Sequence, residues 1–198
     1  MAGNKITTRD QILDATERIM ARFGFRKMTM EDIAKEARVG RRTIYIYFRN
    51  KEDVALSSIG RVVEGTQSRM RDVLSRCDLD PVEKLRLILV ERVMSRVHAV
   101  AEYHESLDEI FELVRPAYIE RRRQYFATEQ DLVSQALEAG IEAKSMQIAH
   151  PMQTAAILLQ ATNAYLPYSL SVKELGEPAQ IEKNLGKMID LLIRGITA

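Results

Sequence analysis

Cysteine is almost absent: Cys77 is the only one in 198 residues. No internal disulfide and no cysteine-rich zinc site can therefore form. No apolar run approaches the ~18 residues of a membrane-spanning helix. The stretch Met1 to Asp10 is polar and lacks the apolar core of a secretory signal. A cytoplasmic protein with no membrane partner is expected. A net excess of charge is also missing, with 29 Lys and Arg against 28 Asp and Glu, so overall charge names no partner. Strand-like alternation never persists, and no nucleophile–base signature, phosphate loop or Glu-x-x-His pair occurs, so neither an enzyme nor a cofactor is expected. What is present is a hydrophobic fraction of 46%, which excludes wholesale disorder. The length suits one compact domain or a small module on a larger core.

The charges are unevenly placed. Between Arg18 and Lys51 stand ten bases and three acids, whereas from Val54 onward there are 17 bases and 20 acids. A basic head on a mildly acidic body points to an anionic partner for the head, although a solvated charged face would give the same count.

Apolar spacing is helical along nearly the whole chain. Thr8 and Gln11 have capping-box spacing and open a helix with the stripe Ile12, Thr16, Ile19, Met20 and Phe23, closed by Gly24. Thr29 and Asp32 open a second helix of about two turns, with Met30, Ile33, Ala34 and Ala37 inward. A third runs from Arg41 to Phe48; its Tyr, Ile and Phe content alone would also fit a short strand. Asn50 caps a long fourth helix reaching about Cys77, and Asp80-Pro81 starts a fifth carrying Leu85, Leu89, Val93, Val97 and Val100. A shorter helix is expected over His104 to Val114. Another should begin at Arg115-Pro116 and end at Gly140, and a further one should run from Pro151 to about Leu170, kinked or ended by Pro167. After a linker over 171–178, a last helix aligns Ile181, Leu185, Met188, Ile189, Leu192 and Ile196. The fold class is all-α, with about nine helices.

Only Arg38-Val39-Gly40 separates the second helix from the third. So short a joint forces the steep crossing of a helix-turn-helix, whose second helix enters the DNA major groove with its N-terminal end on the base edges. That end is Arg41-Arg42-Thr43. Arginine matches guanine O6 and N7, and threonine reaches a phosphate or a thymine methyl. Tyr45 and Tyr47 carry hydroxyls at phosphate reach, Lys51 adds a charge, and the helix start at Thr29 offers N–H groups to a phosphate.

Three stretches within Ile12 to about Leu56 carry a family resemblance. They are Phe23-Gly24-Phe25, Thr29-Met30-Glu31-Asp32-Ile33-Ala34, and Thr43-Ile44-Tyr45-Ile46-Tyr47-Phe48 followed by Asn50-Lys51-Glu52. Together they resemble the DNA-binding domain of the tetracycline-repressor (TetR) family. The resemblance implies phosphate contacts from Thr29, Tyr45, Tyr47 and Lys51, base-facing roles for Arg41, Arg42 and Thr43, and a core of Ile33, Ala34, Val39, Ile44 and Phe48. The chain departs from the family pattern twice: Arg38 stands where Gly is common, and Gly40 where Ser or Thr is common.

The rest of the chain names no ligand, but periodicity shows where polar groups intrude. Tyr118, Arg122, Tyr125, Phe126, Leu132, Val133 and Ala136 share a stripe, which places Arg122 and Glu129 on an apolar face. Asn163 shares a face with Met152, Ala155, Leu159 and Leu166. An effector pocket is expected from Arg122, Glu129 and Asn163 with Met94, Phe111, Tyr125 and Phe126; the alternative is an internal salt bridge in an ordinary core. His98, Glu102, His104, Glu105 and Asp108 include two i, i+4 pairs that could chelate, but a solvated acidic segment explains them better, and no metal site is assigned. A surplus apolar face at Leu158, Ala161 and Tyr165, beside the apolar last helix, suggests a subunit interface.

The sequence therefore predicts a helix-turn-helix domain over 1–53 and a larger helical effector-binding and dimerisation domain over 54–198. The expected protein is a homodimer joined through its last two helices. It would bind an inverted repeat in double-stranded DNA and be released by a small-molecule effector, most simply as a repressor. The alternatives are a nucleoid or division-related DNA binder without an effector, and a metal-binding helical protein.

Overall fold

The computed structural model describes residues 7–101, 107–167 and 176–197. Among these it contains eight α-helices: α1 (Thr8–Phe23), α2 (Met30–Glu36), α3 (Arg41–Tyr47), α4 (Lys51–Ser75), α5 (Pro81–Val100), α6 (Leu107–Glu142), α7 (Pro151–Thr162) and α8 (Pro178–Arg194). A 3-10 turn, Asn163–Tyr165, follows α7. The only sheet-like pairing among the described residues is an isolated bridge between Met146 and Thr197. The all-α class stands. The chain divides into two compact units, Met1–Arg61 with Ala101–Ile119, and Val62–Val100 with Glu120–Ala198.

In the first unit α1 buries Ile12, Leu13, Ala15, Thr16, Ile19 and Met20. Phe23, expected on that stripe, is 59% exposed. It is the last residue of the helix, and its ring lies under the Arg22 guanidinium instead. The N-terminal box is Thr7 with Asp10, one residue earlier than Thr8 with Gln11. A charged acceptor three residues on serves both the cap N–H and the helix dipole, which Gln11 cannot. Gly24 closes α1 at φ 77, ψ 163, a region open essentially to glycine alone. The described start of α6 also belongs to this unit: Leu107, Ile110, Phe111, Val114 and Tyr118 are buried, with Phe111 edge-on to Tyr118 at 5.1 Å. Arg26, in the loop after α1, pairs with Glu109 and Glu112 at 3.6 and 3.1 Å.

Arg115-Pro116 does not break the chain; Pro116 lies inside the continuous helix α6. The proline ring is on the exposed face, so the carbonyl it orphans faces water, while Val114 and Tyr118 anchor the turns on either side. The separate helices expected over His104–Val114 and from Arg115 are therefore corrected to one. At its far end the helix runs past Gly140 to Glu142, because Gly140 sits directly under the Met146 side chain rather than at a cap.

In the second unit α5 supplies Leu85, Leu89, Val93 and Val97, and α8 supplies Ile181, Leu185, Ile189 and Ile193, to a core shared with Leu132, Val133, Ala136 and Leu159. Helix α7 stops at Thr162, well short of Leu170. Pro167 has no N–H to give the Asn163 carbonyl, which takes Leu166 N at 3.1 Å in a tighter turn instead. The surplus apolar face moves as well. Leu158 is only 2% exposed and Ala161 and Tyr165 are half-buried, whereas Met152, Ile157 and Leu191 are exposed.

Candidate functional site

The joint between α2 and α3 is built from backbone hydrogen bonds. Val39 N donates to Ala34 O at 3.0 Å and Arg38 N to Lys35 O at 3.2 Å, the paired bonds of a Schellman motif. That motif demands a left-handed residue, and Arg38 supplies it at φ 55. Here lies the physical content of the glycine that the family pattern carries at this position. Gly40 then starts α3 with no side-chain cap.

The short helix α3 buries Ile44 only, with Phe48 buried just beyond it. Everything else on it faces outward or partly so. Arg41 and Arg42 are exposed at its N-terminal end, Thr43 is half-buried, and Tyr45 and Tyr47 are 49% and 42% exposed. Neither arginine makes an ion pair among the described residues. Ile46, to which sequence reasoning gave no role, is 78% exposed. An isoleucine left so largely to solvent suits an apolar contact such as a thymine methyl. The signal was its place between two tyrosines on the outer face of α3.

Apart from Lys51, the basic residues from Arg18 to Arg49 fall into two groups. Arg18 and Arg22 both bind Glu36, at 2.8 and 2.7 Å, and hydrogen bonds from Arg18 and then Arg22 hold the Glu36 carboxyl below its ordinary range. Arg26 is held by Glu109 and Glu112. By contrast Lys27, Lys35, Arg38, Arg41, Arg42 and Arg49 are exposed and without an ion pair among the described residues. The unneutralised charge is thus concentrated on the α2–α3 segment.

Two expected phosphate ligands have internal tasks. The Thr29 hydroxyl donates to Asp32 Oδ2 at 2.6 Å and accepts from Asp32 N at 3.2 Å, a complete capping box. Lys51 is turned inward: its Nζ donates to the carbonyls of Phe25, Arg26 and Met28 at 3.4, 3.2 and 3.4 Å and lies 4.8 Å from the Phe25 ring centroid. It ties the α1–α2 loop to the start of α4. Val39, expected in the core, is half-buried, while Ile33, Ala34, Ile44 and Phe48 are buried as expected.

Residues 12–57 match the family described as "Bacterial regulatory proteins, tetR family". The head is thus similar to a TetR-type DNA-binding domain. An uncharacterized helix-turn-helix transcriptional regulator of Haemophilus influenzae is 46% identical over 54 residues, 27% of this chain and 29% of that protein. The fatty acid metabolism regulator protein of Bacillus subtilis is 32% identical over 83 residues, 40% of each chain. This chain therefore spans under half the length of these relatives, and the similarity concentrates in the TetR-type head. The fold extends further. A transcriptional regulator from Cytophaga hutchinsonii superposes with a TM-score of 0.76 over 94% of this chain and 97% of that one, at 18% identity.

In the second unit the structure brings Glu129 and Asn163 together, through an arginine that sequence reasoning missed. Arg92 donates from Nε to Glu129 Oε2 at 2.7 Å, from Nη1 to Thr162 Oγ1 at 2.7 Å and Leu159 O at 3.2 Å, and from Nη2 to Asn163 Oδ1 at 2.7 Å. Arg96, one turn on, donates to Glu129 Oε1 and to Arg92 O. Both arginines and Glu129 are 3% exposed or less. Burial pushes the Glu129 carboxyl up, but the two guanidiniums outweigh it and hold the group below its ordinary range. The missed signal was the register: Arg92 and Arg96 continue the Leu85, Leu89 face at i+3 and i+4.

Arg122, expected inward, is exposed. The expected stripe put it on the buried face, but α5 already supplies the cations for Glu129, and a third guanidinium there would have no counter-charge. Met94 is buried and Phe126 packs against the same core. Tyr125 is half-buried, and its carbonyl accepts from Gln67 at 3.3 Å. Phe111 belongs to the first unit. Of the histidine–acid cluster, His98 is exposed; Glu102, His104 and Glu105 lie outside the described residues, as does the side chain of Asp108.

Proposed function

We propose that this chain is a homodimeric transcriptional repressor, working in the cytoplasm, that holds an inverted-repeat operator and leaves it when a small molecule occupies the second unit. The observation that carries the reading is the free, outward N-terminal end of α3 on a TetR-type head. Among the described residues Arg41 and Arg42 have no ion-pair partner there, which leaves them ready for guanine edges, with Thr43 beside them. Tyr45, Tyr47 and the N–H groups at the start of α2 serve the flanking phosphates. Lys51 contributes by holding the loop that positions α2.

Met152 and Ile157 on α7 and Leu191 on α8, all exposed, support pairing of two chains through these helices. Two recognition helices then lie about one DNA turn, ~34–36 Å, or a multiple of it apart. Release is a population shift: effector favours a dimer whose head spacing no longer matches the grooves. Helix α4, whose residues are divided between the two units, is the element through which such a change would pass.

Selection of sites from random duplex DNA by the purified chain tests this. An inverted repeat should be enriched. Folded, dimeric protein that enriches no sequence would overturn the reading, and enrichment of A·T-rich DNA without a repeat would favour an architectural DNA binder.

A further inference from the structure

We propose that Ile46 reads a base: it takes the C5-methyl group of one thymine in each half-site, in register with the guanine met by Arg42. The inference rests on the repressor reading, which puts α3 in the major groove. It adds which base the chain selects beside that guanine.

The orientation of α3 is set by its buried residue, Ile44. At 3.6 residues per turn, successive side chains step round a helix by about 100°. Arg42 and Ile46 stand two residues before and after Ile44. Each therefore points about 160° away from it, and the two lie about 40° apart. They form the outermost line of the helix, with Arg41 and Tyr45 on one flank and Thr43 and Tyr47 on the other. The exposures follow this geometry: Ile46 is 78% exposed, against 49% for Tyr45 and 42% for Tyr47.

A recognition helix in the major groove turns its outermost line to the base edges and its flanks to the walls. Ile46 brings neither a hydrogen-bond donor nor an acceptor to that line. The apolar group that base pairs present in the major groove is the thymine C5-methyl, which settles the occupant. A lone exposed isoleucine carries little meaning on a protein surface. This one shares its line with an arginine that has no ion pair among the described residues. Four residues advance about 6 Å along a helix, and base pairs stack about 3.4 Å apart. The thymine therefore lies about two base pairs from the guanine.

The test starts from a site selected by the full chain. Each thymine is replaced in turn by deoxyuridine, which lacks only the methyl group, and binding is read by fluorescence anisotropy at fixed salt. One thymine per half-site, about two base pairs from the guanine whose preference Arg42→Ala relaxes, should cost the wild type about fourfold in affinity, the worth of one buried methyl group. Ile46→Ala should bind the thymine and uracil duplexes equally. If that variant binds too weakly for the comparison, Ile46→Val supplies it, with a reduced preference for thymine. A half-site without a thymine at that position would overturn the proposal, as would a site indifferent to uracil. So would a uracil penalty undiminished in the Ile46 variants, which would assign the methyl to Thr43. Each of these leaves the repressor reading intact, whereas folded, dimeric protein that selects no site would overturn both.

Discussion

Replacing Glu129 by glutamine changes one atom and isolates the charge in the buried cluster. The side chain keeps its shape, so no cavity opens, and the amide oxygen still accepts one bond from Arg92. What is lost is the negative charge facing two guanidiniums that are 2% and 3% exposed. Removing one partner from a buried ion pair costs about 3–5 kcal/mol. For a chain of this length each kcal/mol moves the midpoint by roughly 2–4 °C, so the expected fall is about 6–20 °C. Calorimetry at neutral pH reads it directly. Adding Arg96→Met should then recover stability, since it removes a charge that no longer has a partner. The two substitutions should couple by more than about 1 kcal/mol in a double-mutant cycle. A loss below about 1 kcal/mol for Glu129→Gln, or additive effects, would show that the cluster is hydrated and that the electrostatic reasoning fails.

The same carboxylate sets an acid limb. Its folded pKa lies below its ordinary value of 4.5. Its contribution is therefore present above about pH 4.5 and is lost as pH falls through the folded pKa, so urea unfolding should show wild type and Glu129→Gln converging in acid. Arg38→Gly should stabilise the chain by about 0.5–1 kcal/mol, the relief of a left-handed arginine offset by the greater freedom of glycine when unfolded; a loss of stability would contradict the Schellman assignment. Ser58 Oγ is buried with no hydrogen-bond partner among the described residues, so Ser58→Ala should be neutral or stabilising by up to about 1 kcal/mol, whereas a loss of about 1 kcal/mol or more would reveal a partner.

The head was legible because its signals are local. Thr29-x-x-Asp32 fixes where α2 starts, and the short Arg38–Gly40 joint fixes the crossing. Helix α3 reads correctly once its neighbours do, despite its strand-like composition. The second unit was less legible because packing there overrides local pattern. Pro116 looks like a breaker, but buried anchors on both sides keep the helix whole. Arg122 and Arg92 are alike in sequence. Which of them meets Glu129 depends on how α5 packs against α6, and no window along the chain contains that information. The end of α7 is similar, since Pro167 blocks one bond and Arg92 takes up Thr162 and Asn163 from a distant helix. Lys51 shows the limit of motif reading, for its charge serves three loop carbonyls that the motif does not mention.

In the proposed function the N-terminal end of α3 reads bases while the tyrosines grip phosphates. The direct measurement is the ratio of affinities for a selected site and its scrambled version, by fluorescence anisotropy at fixed salt, for wild type, Arg42→Ala and Tyr47→Phe. Loss of a bidentate base contact is worth about 1–3 kcal/mol of discrimination, so Arg42→Ala should cut the ratio by roughly 5- to 150-fold. Tyr47→Phe should weaken both duplexes alike and leave the ratio unchanged. A ratio that survives Arg42→Ala, with both affinities falling together, would contradict the account.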